Sequence, residues 1–134
     1  MIHIACIDHD GRSRFAFEQM AVLLGARGLE NRLCLYVSPA DALRHLPYDR
    51  PDIVFIDIRA HTARAPSALG LVRALRSHPL CQDMILVGMA DYPMPSDQKA
   101  ALAAGCNDFV KKPPLYQAIE HIIITHRAAT DAEA

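Results

Sequence analysis

Short apolar runs alternate with amphipathic stretches along the chain, and no other feature restricts the fold as strongly. The apolar runs cover residues 2–7, 33–37, 53–56, 84–87 and 109–110. This alternation is typical of parallel β-strands joined by crossover helices. It predicts an α/β domain of five βα units, which fits a doubly wound, five-stranded parallel sheet.

The amphipathic stretches predict a helix after each strand. The second helix is predicted to begin after Ser38, an N-cap residue followed by proline, and to run through Leu46, with Pro47 in the next turn. The third is predicted to start near Ser67. The apolar face of the first helix is predicted to consist of Phe15, Gln19, Val22, Leu23 and Leu24.

Length and composition fit one domain. The chain has 134 residues, of which 51% are hydrophobic, and this is the size of a single globular domain with a substantial core. The last helix is predicted to run from Leu115 to about Arg127. We therefore expect one domain at residues 1–127 and a short disordered C-terminal tail at residues 128–134.

The charge pattern argues against binding to nucleic acids or to anionic membranes. The net charge is −1, and the two signs are interspersed without a basic stripe. Residues 1–4 lack the charged leader and apolar core of a signal peptide, and no apolar run approaches the roughly 20 residues that span a bilayer. We expect a cytoplasmic protein with no nucleic-acid or membrane partner.

Familiar catalytic and metal-binding motifs are missing from the sequence. It contains no G-x-S-x-G, no G-x-x-x-x-G-K-[ST] and no H-E-x-x-H motif. The cysteines occur singly, without a C-x-x-C pair, so they are predicted to be reduced, buried thiols rather than zinc ligands or redox groups. These cysteines are Cys6, Cys34, Cys81 and Cys106.

Charged residues follow three of the predicted strands. Asp8 follows the first strand, Asp57 closes the third and Lys112 follows the fifth. A lone carboxylate has little packing reason to end a buried strand. Because ligands bind beyond the carboxyl ends of parallel strands, we expect carboxylates and an ammonium group to meet at this edge of the sheet.

The order and spacing of these residues resemble the response-regulator receiver domain. The matching landmarks are the acidic cluster at residues 8–10, Asp57 at a strand end, the stretch from Gly105 to Phe109, and Lys112 followed by proline. The resemblance covers about residues 1–126. It implies a flavodoxin-like (βα)5 fold with strand order 2-1-3-4-5.

The resemblance also implies a phosphoacceptor chemistry. In that family a carboxylate attacks a phosphohistidine, and a metal ion and a cation neutralise the phosphoryl oxygens. By the resemblance, Asp57 is the nucleophile and Lys112 pairs with the phosphoryl group. Mg²⁺ is assigned to Asp8, Asp57 and the backbone carbonyl of Arg59. The peptide bond between Lys112 and Pro113 is expected to be cis, as is usual in the family.

His9 departs from the family pattern at the second acidic position, where a carboxylate normally binds the metal directly. Neutral imidazole is a poor ligand for Mg²⁺, so we expect weakened or absent Mg²⁺ binding unless Asp10 or water substitutes. Three interpretations stay open. His9 is a neutral residue in a degraded metal site, a pH-sensitive cation that replaces part of the Mg²⁺ charge, or a transition-metal ligand together with Asp8 and Asp57.

A second departure is the loss of a hydroxyl group after the fourth strand. Where the family has Ser or Thr, the alignment places Met89, with Gly88 or Ala90 if the register shifts. In the family this hydroxyl draws an aromatic residue inward, and Phe109 occupies the position of that aromatic switch. Ordinary core packing explains Phe109 equally well. We therefore expect phosphoryl capture to be better preserved than its communication.

Two surface regions are predicted to contact partners. The loop after Asp57 is longer than is usual in the family, and its side chains are candidates for contact with a partner or with the phosphoryl group. A second face is a candidate surface for a homodimer or another partner, although helix packing explains Ile119 equally well. The loop carries Arg59, His61 and Arg64, and the second face carries Phe109, Tyr116 and Ile119.

Two functional hypotheses follow. The first is a single-domain response regulator that accepts a phosphoryl group on Asp57 from a histidine kinase or a histidine phosphotransfer protein. It would act by binding a downstream protein or by draining phosphate from its donor, with at most self-catalysed phosphoryl transfer and dephosphorylation. The second is a pseudo-receiver, a binding module that signals independently of phosphorylation and Mg²⁺. Asp57 and Lys112 favour the first hypothesis, whereas His9 and Met89 favour the second.

Overall fold

The computed structural model describes residues 1–59 and 66–133, with side chains described as far as Arg127 within these ranges. Strands and helices alternate along the chain. The strands are β1 (Ile2–Ile7), β2 (Asn31–Tyr36), β3 (Ile53–Asp57), β4 (Ile85–Ala90) and β5 (Asp108–Lys111). The helices are α1 (Gly11–Ala26), α2 (Pro39–Asp49), α3 (Ala68–Ser77), α4 (Pro95–Ala104) and α5 (Tyr116–Glu133).

The strands form one parallel sheet in the order β2-β1-β3-β4-β5. This order confirms the predicted flavodoxin-like (βα)5 fold. β2 lies on one side of β1, whereas β3, β4 and β5 lie on the other side. The strand order therefore reverses between β1 and β3. In open α/β sheets such a switch point is where ligands bind, beyond the carboxyl ends of the strands.

The core has two layers, one on each face of the sheet. Val54 and Ile56 of β3 pack with residues of α2, α3 and α4. Ile53 and Phe55 point to the opposite face and pack with residues of α1 and α5. Every residue of β3 is therefore buried, as expected for the central strand of a parallel sheet that helices cover on both sides. Burial of one such apolar side chain contributes roughly 1.5–3 kcal/mol, so the two layers hold the strand ends in fixed positions.

Serine side chains cap two helices at the predicted positions. The hydroxyl of Ser38 accepts a hydrogen bond from the backbone N–H of Asp41 at 3.1 Å, at the start of α2. The hydroxyl of Ser67 accepts one from Gly70 N–H at 3.0 Å, at the start of α3. Each cap satisfies an amide that has no partner within the first turn.

The guanidinium of Arg76 fixes the C-terminal end of α4. It donates hydrogen bonds to the carbonyl oxygens of Gly105, Gln82 and Met84 at 2.7–2.8 Å, and to Oδ1 of Asn107 at 2.6 Å. Burial lowers the pKa of Arg76 from its ordinary value, although an arginine this basic stays charged. Gly105 has a φ of +127°, and a Cβ there would lie 2.8 Å from Cγ of Arg76. Both facts require glycine at the end of this helix.

The buried face of α1 differs from the predicted one. Phe17 and Leu24 are buried. Phe15 and Phe17 are separated by about 200° around the helix, so only one of the two rings can face the sheet. Of the predicted residues, Leu24 is correct, whereas the structure exposes Phe15, Gln19, Val22 and Leu23.

Two helices extend beyond their predicted ends. α2 continues through Pro47 to Asp49, because a proline in the last turn removes only one backbone hydrogen bond. It ends at Arg50, whose φ is +48° and whose N–H donates to the Leu46 carbonyl at 2.9 Å. α5 continues past Arg127, and the division of the chain into domain and tail stays a prediction. None of the helices in the described part of the chain is long and apolar enough to span a membrane.

All four cysteines are free thiols. Cys6, Cys81 and Cys106 are buried, as predicted, and burial raises the pKa of Cys106 to about 11. Cys34 is only half-buried, and its Sγ lies 3.1 Å from Nε2 of His3 on the neighbouring strand.

Candidate functional site

Three charged residues are buried at the carboxyl edge of the sheet. Asp8 follows β1, Asp57 ends β3 and Lys112 follows β5, and their exposed fractions are 0%, 4% and 6%. Burying a charge costs free energy unless the charge is paired and hydrogen-bonded. The three side chains lie together at one edge of the sheet, as the sequence predicted. This edge, beyond the carboxyl ends of the strands, is where ligands bind in open α/β sheets.

The ammonium group of Lys112 joins the two buried carboxylates. Its Nζ donates to Oδ2 of Asp8 at 2.7 Å and to Oδ2 of Asp57 at 3.1 Å. Burial alone lowers the pKa of Lys112, but the hydrogen bonds to Asp8 and Asp57 outweigh burial, and the pKa is raised above its ordinary value. Lys112 is thus a permanent cation near neutral pH. The peptide bond between Lys112 and Pro113 is cis, as expected.

The second oxygen of each buried carboxylate accepts a backbone amide. The N–H of Asp10 donates to Oδ1 of Asp8 at 2.9 Å, and the N–H of Arg59 donates to Oδ1 of Asp57 at 3.0 Å. Each carboxylate is therefore held on both oxygens, by an ammonium on one side and by an amide on the other. A carboxylate has about four acceptor sites, so each keeps lone pairs for a further ligand.

Among the described residues, three carboxylates lie around the ammonium group of Lys112. The carboxylates of Asp8, Asp57 and Asp91 lie within 4 Å of the one ammonium of Lys112, with Asp91 at 3.8 Å. One potential ligand atom each from Asp8, His9 and Asp57 also lies within 4.8 Å of the others. The carboxylate oxygens and this spacing suit a divalent cation.

The donor set fits Mg²⁺ in part. Two carboxylates, completed by water and phosphate oxygens, are a usual set for this ion. The His9 ring is 61% exposed, with Nδ1 3.9 Å from Oδ1 of Asp8, and its nitrogen suits a transition metal better than Mg²⁺. Asp10 accepts the N–H of Arg12 at 2.9 Å as the N-cap of α1. Metal binding by Asp8, Asp57, Asp10 and the Arg59 carbonyl stays a prediction.

The end of β4 offers no side-chain hydroxyl to this pocket. Met89 is in register with Asp57 and is fully buried in the layer formed with α1 and α5. Because side chains alternate along a strand, Gly88 and Ala90 face the opposite layer, where Phe109 packs. Three positions, residues 88–90, were considered for the lost hydroxyl. Of these, Ala90 is the one that has a side chain at the end of the strand on the same face of the sheet as Phe109.

The ring of Phe109 packs over Gly88. A Cβ on Gly88 would lie 3.0 Å from Cδ2 of Phe109 and 3.0 Å from the methyl group of Ala101 in α4. The missing side chain at Gly88 thus provides the space that the half-buried ring fills. Core packing of Phe109 is observed, and its switching role stays a prediction.

Asp91 was not predicted to belong to the site. The sequence predicted that β4 ends at Val87, which placed Asp91 within a loop. The strand continues to Ala90 and brings Asp91 to the edge of the sheet, next to Lys112. A strand end placed three residues later would have revealed a further carboxylate.

The side-chain partners of Arg59 were also not predicted. Its guanidinium donates to the carbonyl oxygen of Tyr92 at 3.1 Å and to Oδ2 of Asp97 at 2.5 Å. No local pattern links positions that are 33 and 38 residues apart. The other two predicted loop residues, His61 and Arg64, lie outside the described residues.

Comparisons with known proteins identify the fold. No protein-family model matches the sequence, and no curated protein matches it significantly. Among solved structures, a CheY-like response regulator receiver domain protein from Methanospirillum hungatei aligns with a TM-score of 0.80 and 14% identity, over 100% of this chain and 99% of that one.

Two further solved structures are similarly close. The receiver domain of a sensor histidine kinase from Pseudomonas aeruginosa, with magnesium coordinated in its active-site cleft, has a TM-score of 0.77 and 19% identity, over 92% of this chain and 95% of that one. A two-component response regulator from Clostridium difficile has a TM-score of 0.75 and 16% identity, over 96% and 97%. The chain thus has the fold of response-regulator receiver domains.

Proposed function

We propose that the protein is a phosphoacceptor of two-component signalling, which takes a phosphoryl group onto Asp57 from a histidine kinase or a histidine phosphotransfer protein. The observation that carries this proposal is the buried set of Asp8, Asp57 and Lys112 at the switch point of the sheet. Such a set combines a nucleophile, a cation for the phosphoryl oxygens and a carboxylate for a metal ion. The likeness to solved receiver domains supports the same function.

In the proposed reaction a carboxylate oxygen of Asp57 attacks the phosphorus atom of a phosphohistidine. A P–O bond forms while the P–N bond breaks, and the electron pair of the P–N bond stays on the imidazole nitrogen, which takes up a solvent proton. The product is an acyl phosphate on Asp57. Lys112, whose Nζ is already 3.1 Å from Asp57, neutralises charge on the transferring oxygens.

Bound Mg²⁺ would neutralise further negative charge on the phosphoryl group. In this proposal Asp8 and Asp57 hold the ion, together with the backbone carbonyl of Arg59. The imidazole of His9 adds no oxygen ligand, so we expect weaker Mg²⁺ binding than in a site where a carboxylate occupies this position.

The proposed output is a contact with a downstream protein in the cytoplasm. Exposed apolar side chains next to the pocket, Tyr92 and Met94, offer a surface for such a partner. Ile119 is buried in the core, as helix packing predicts, so it is not part of the surface predicted for a homodimer. Phe109 and Tyr116 are half-buried, and Arg27 covers the ring of Tyr116 at 4.4 Å.

The test is the intact mass of the protein after incubation with acetyl phosphate and Mg²⁺. We expect a phosphoryl adduct on the wild type and none on Asp57→Asn, which keeps the shape of the side chain but is not a nucleophile. Asp83→Asn is the matched control, because this exposed aspartate lies near the opposite edge of the sheet. It should form the adduct as the wild type does.

The pseudo-receiver is the second candidate, and two observations favour it. His9 replaces an oxygen ligand, and β4 lacks a hydroxyl at residues 88–90. If neither acetyl phosphate nor a phosphorylated histidine protein gives an adduct on the wild type, the phosphoacceptor proposal fails and the binding module takes its place.

A further inference from the structure

An ion pair connects the end of β3 to the start of α4. Arg59 lies two residues after Asp57, and its guanidinium reaches Oδ2 of Asp97 in the first turn of α4 at 2.5 Å. The same guanidinium nitrogen donates to the carbonyl oxygen of Tyr92 at 3.1 Å. The loop between β4 and α4 is therefore joined by hydrogen bonds to Arg59, two residues after the proposed phosphoacceptor.

One carboxylate oxygen of Asp97 accepts hydrogen bonds from two donors. Besides Arg59, Oδ2 of Asp97 accepts the backbone N–H of Met94, the N-cap residue of α4, at 2.7 Å. The Met94 N–H and, next, the Arg59 side chain lower the pKa of Asp97 from its ordinary value. A change in the position of the Arg59 side chain therefore alters the hydrogen bonding of the Asp97 carboxylate, which also accepts the N–H at the start of α4.

The backbone of Arg59 is held directly against Asp57, since its N–H donates to Asp57 Oδ1 at 3.0 Å. The Arg59 side chain therefore starts beside any group that is attached to Asp57. A phosphoryl group carries about −1.5 to −2 charges, and guanidinium binds phosphate oxygens in a bidentate, charge-assisted manner. Asp97 offers it only one negative charge.

We propose that Arg59 exchanges Asp97 for the phosphoryl group when Asp57 is phosphorylated, an inference that rests on the proposed function. Arg59 then supplies the phosphate contact that β4 lacks. Its departure removes the link from Asp97 and Tyr92 to β3 and so loosens the first turn of α4. Phosphorylation is communicated by exchange of an ion pair, without a hydroxyl group or movement of Phe109.

The test combines intact mass with amide hydrogen exchange on the full chain, with acetyl phosphate as the phosphodonor. In the wild type, formation of the adduct should speed exchange in the first turn of α4 by about fivefold, the upper end of what loss of one solvent-exposed ion pair produces. Arg59→Gln should show fast exchange in this turn before any phosphodonor is added, and no further increase at an equal phosphorylated fraction.

Two further variants separate the ion pair from general destabilisation. Asp97→Asn keeps an acceptor for the Met94 N–H but lacks the charge that holds Arg59, so it should also exchange fast without phosphodonor. Arg73→Gln makes the same charge change on the exposed surface of α3 and should behave as the wild type.

The outcomes distinguish this inference from the function on which it rests. A wild-type adduct with unchanged exchange in α4 overturns the inference and leaves the phosphoacceptor function standing. An undiminished phosphorylation-dependent increase in Arg59→Gln also overturns it. No adduct on the wild type overturns the proposed function, and the inference falls with it.

Discussion

The carboxyl edge of the sheet has two differently built halves. Beside β1, β3 and β5, three buried charged groups are fixed by hydrogen bonds, with both oxygens of Asp8 and of Asp57 engaged. Beside β4, residues 88–90 contribute glycine and apolar side chains, and an aromatic ring from β5 fills the space that glycine leaves. Under the proposed function, the first half would capture a phosphoryl group, whereas the second half has no side-chain hydroxyl at residues 88–90.

Under the proposed function, this difference means that capture of a phosphoryl group and its communication depend on different interactions. Buried charges require specific partners, because an unpaired ion in the interior is costly. Packing at the end of β4 is constrained by shape and volume instead. One half of the site can therefore lose its polar group without disturbing the electrostatics of the other.

Removing the cation from the charged half should have the largest effect. Lys112→Met leaves Asp8 and Asp57 side by side without their shared ammonium, and breaking a buried ion pair in this way costs about 3–5 kcal/mol. We expect a corresponding fall in the free energy of unfolding in urea. Lys111→Met is the matched control, since the neighbouring lysine is exposed and its replacement should change stability by less than about 0.5 kcal/mol. Equal effects in the two variants would mean that the ion pairs contribute little.

Adding one methyl group should disturb the apolar half. In Gly88→Ala the new Cβ meets Phe109 and Ala101 at 3.0 Å, so we expect a loss of about 1–3 kcal/mol and displacement of the Phe109 ring. Urea unfolding and the aromatic NMR signals of Phe109 would report the two effects. Gly25→Ala, in α1, meets only an Asn31 side-chain nitrogen at 3.9 Å and should be neutral or stabilising. A stable Gly88→Ala with an unmoved ring would contradict the packing described for this half.

Restoring the missing oxygen ligand should sharpen the charged half. His9→Asp adds a carboxylate within the cluster of potential ligand atoms, and we expect Mg²⁺ affinity to rise about tenfold, or about 1.4 kcal/mol. Isothermal titration calorimetry measures this directly. His9→Asn is the control, because it supplies a neutral oxygen and should give a smaller gain. Unchanged affinity in His9→Asp would show that this position does not face the ion.

The smallest expected effect is the pH dependence of the stability that Asp97 contributes. The Met94 N–H and the Arg59 side chain lower the pKa of Asp97 below its unfolded value, so the stability that Asp97 contributes is present above that unfolded value. It is lost as the pH falls through the lowered pKa. We expect the difference in urea midpoint between the wild type and Asp97→Asn to shrink below about pH 4 and to be constant above about pH 5. A difference that grows on acidification would contradict the lowered pKa of Asp97 in the folded protein.

The sequence predicted the sheet and the charged half of the site well. The alternation of apolar runs and amphipathic stretches predicted parallel strands whose carboxyl ends share an edge, and the resemblance to receiver domains implied the strand order that brings Asp8, Asp57 and Lys112 together. The caps at Ser38 and Ser67 were also readable, because a serine cap acts over only three residues.

The remaining errors have tertiary causes. Phe15 and Phe17 are equally apolar, and only packing against the sheet decides which ring is buried. The residues of β4 after Val87 include a glycine whose role depends on the distant ring of Phe109. The partners of Arg59 lie across the fold, so no local pattern indicates them.

The two ends of α4 are anchored with unequal strength. At its C-terminal end, the Arg76 guanidinium donates to four acceptors in two segments of the chain, residues 82–84 and 105–107. At its first turn, a partly exposed ion pair provides the link to β3. Under the further inference above, release of this pair would leave the first turn of α4 less restrained than its last residue. Any movement of the helix that follows would then be largest near Pro95, beside the exposed side chains of Tyr92 and Met94.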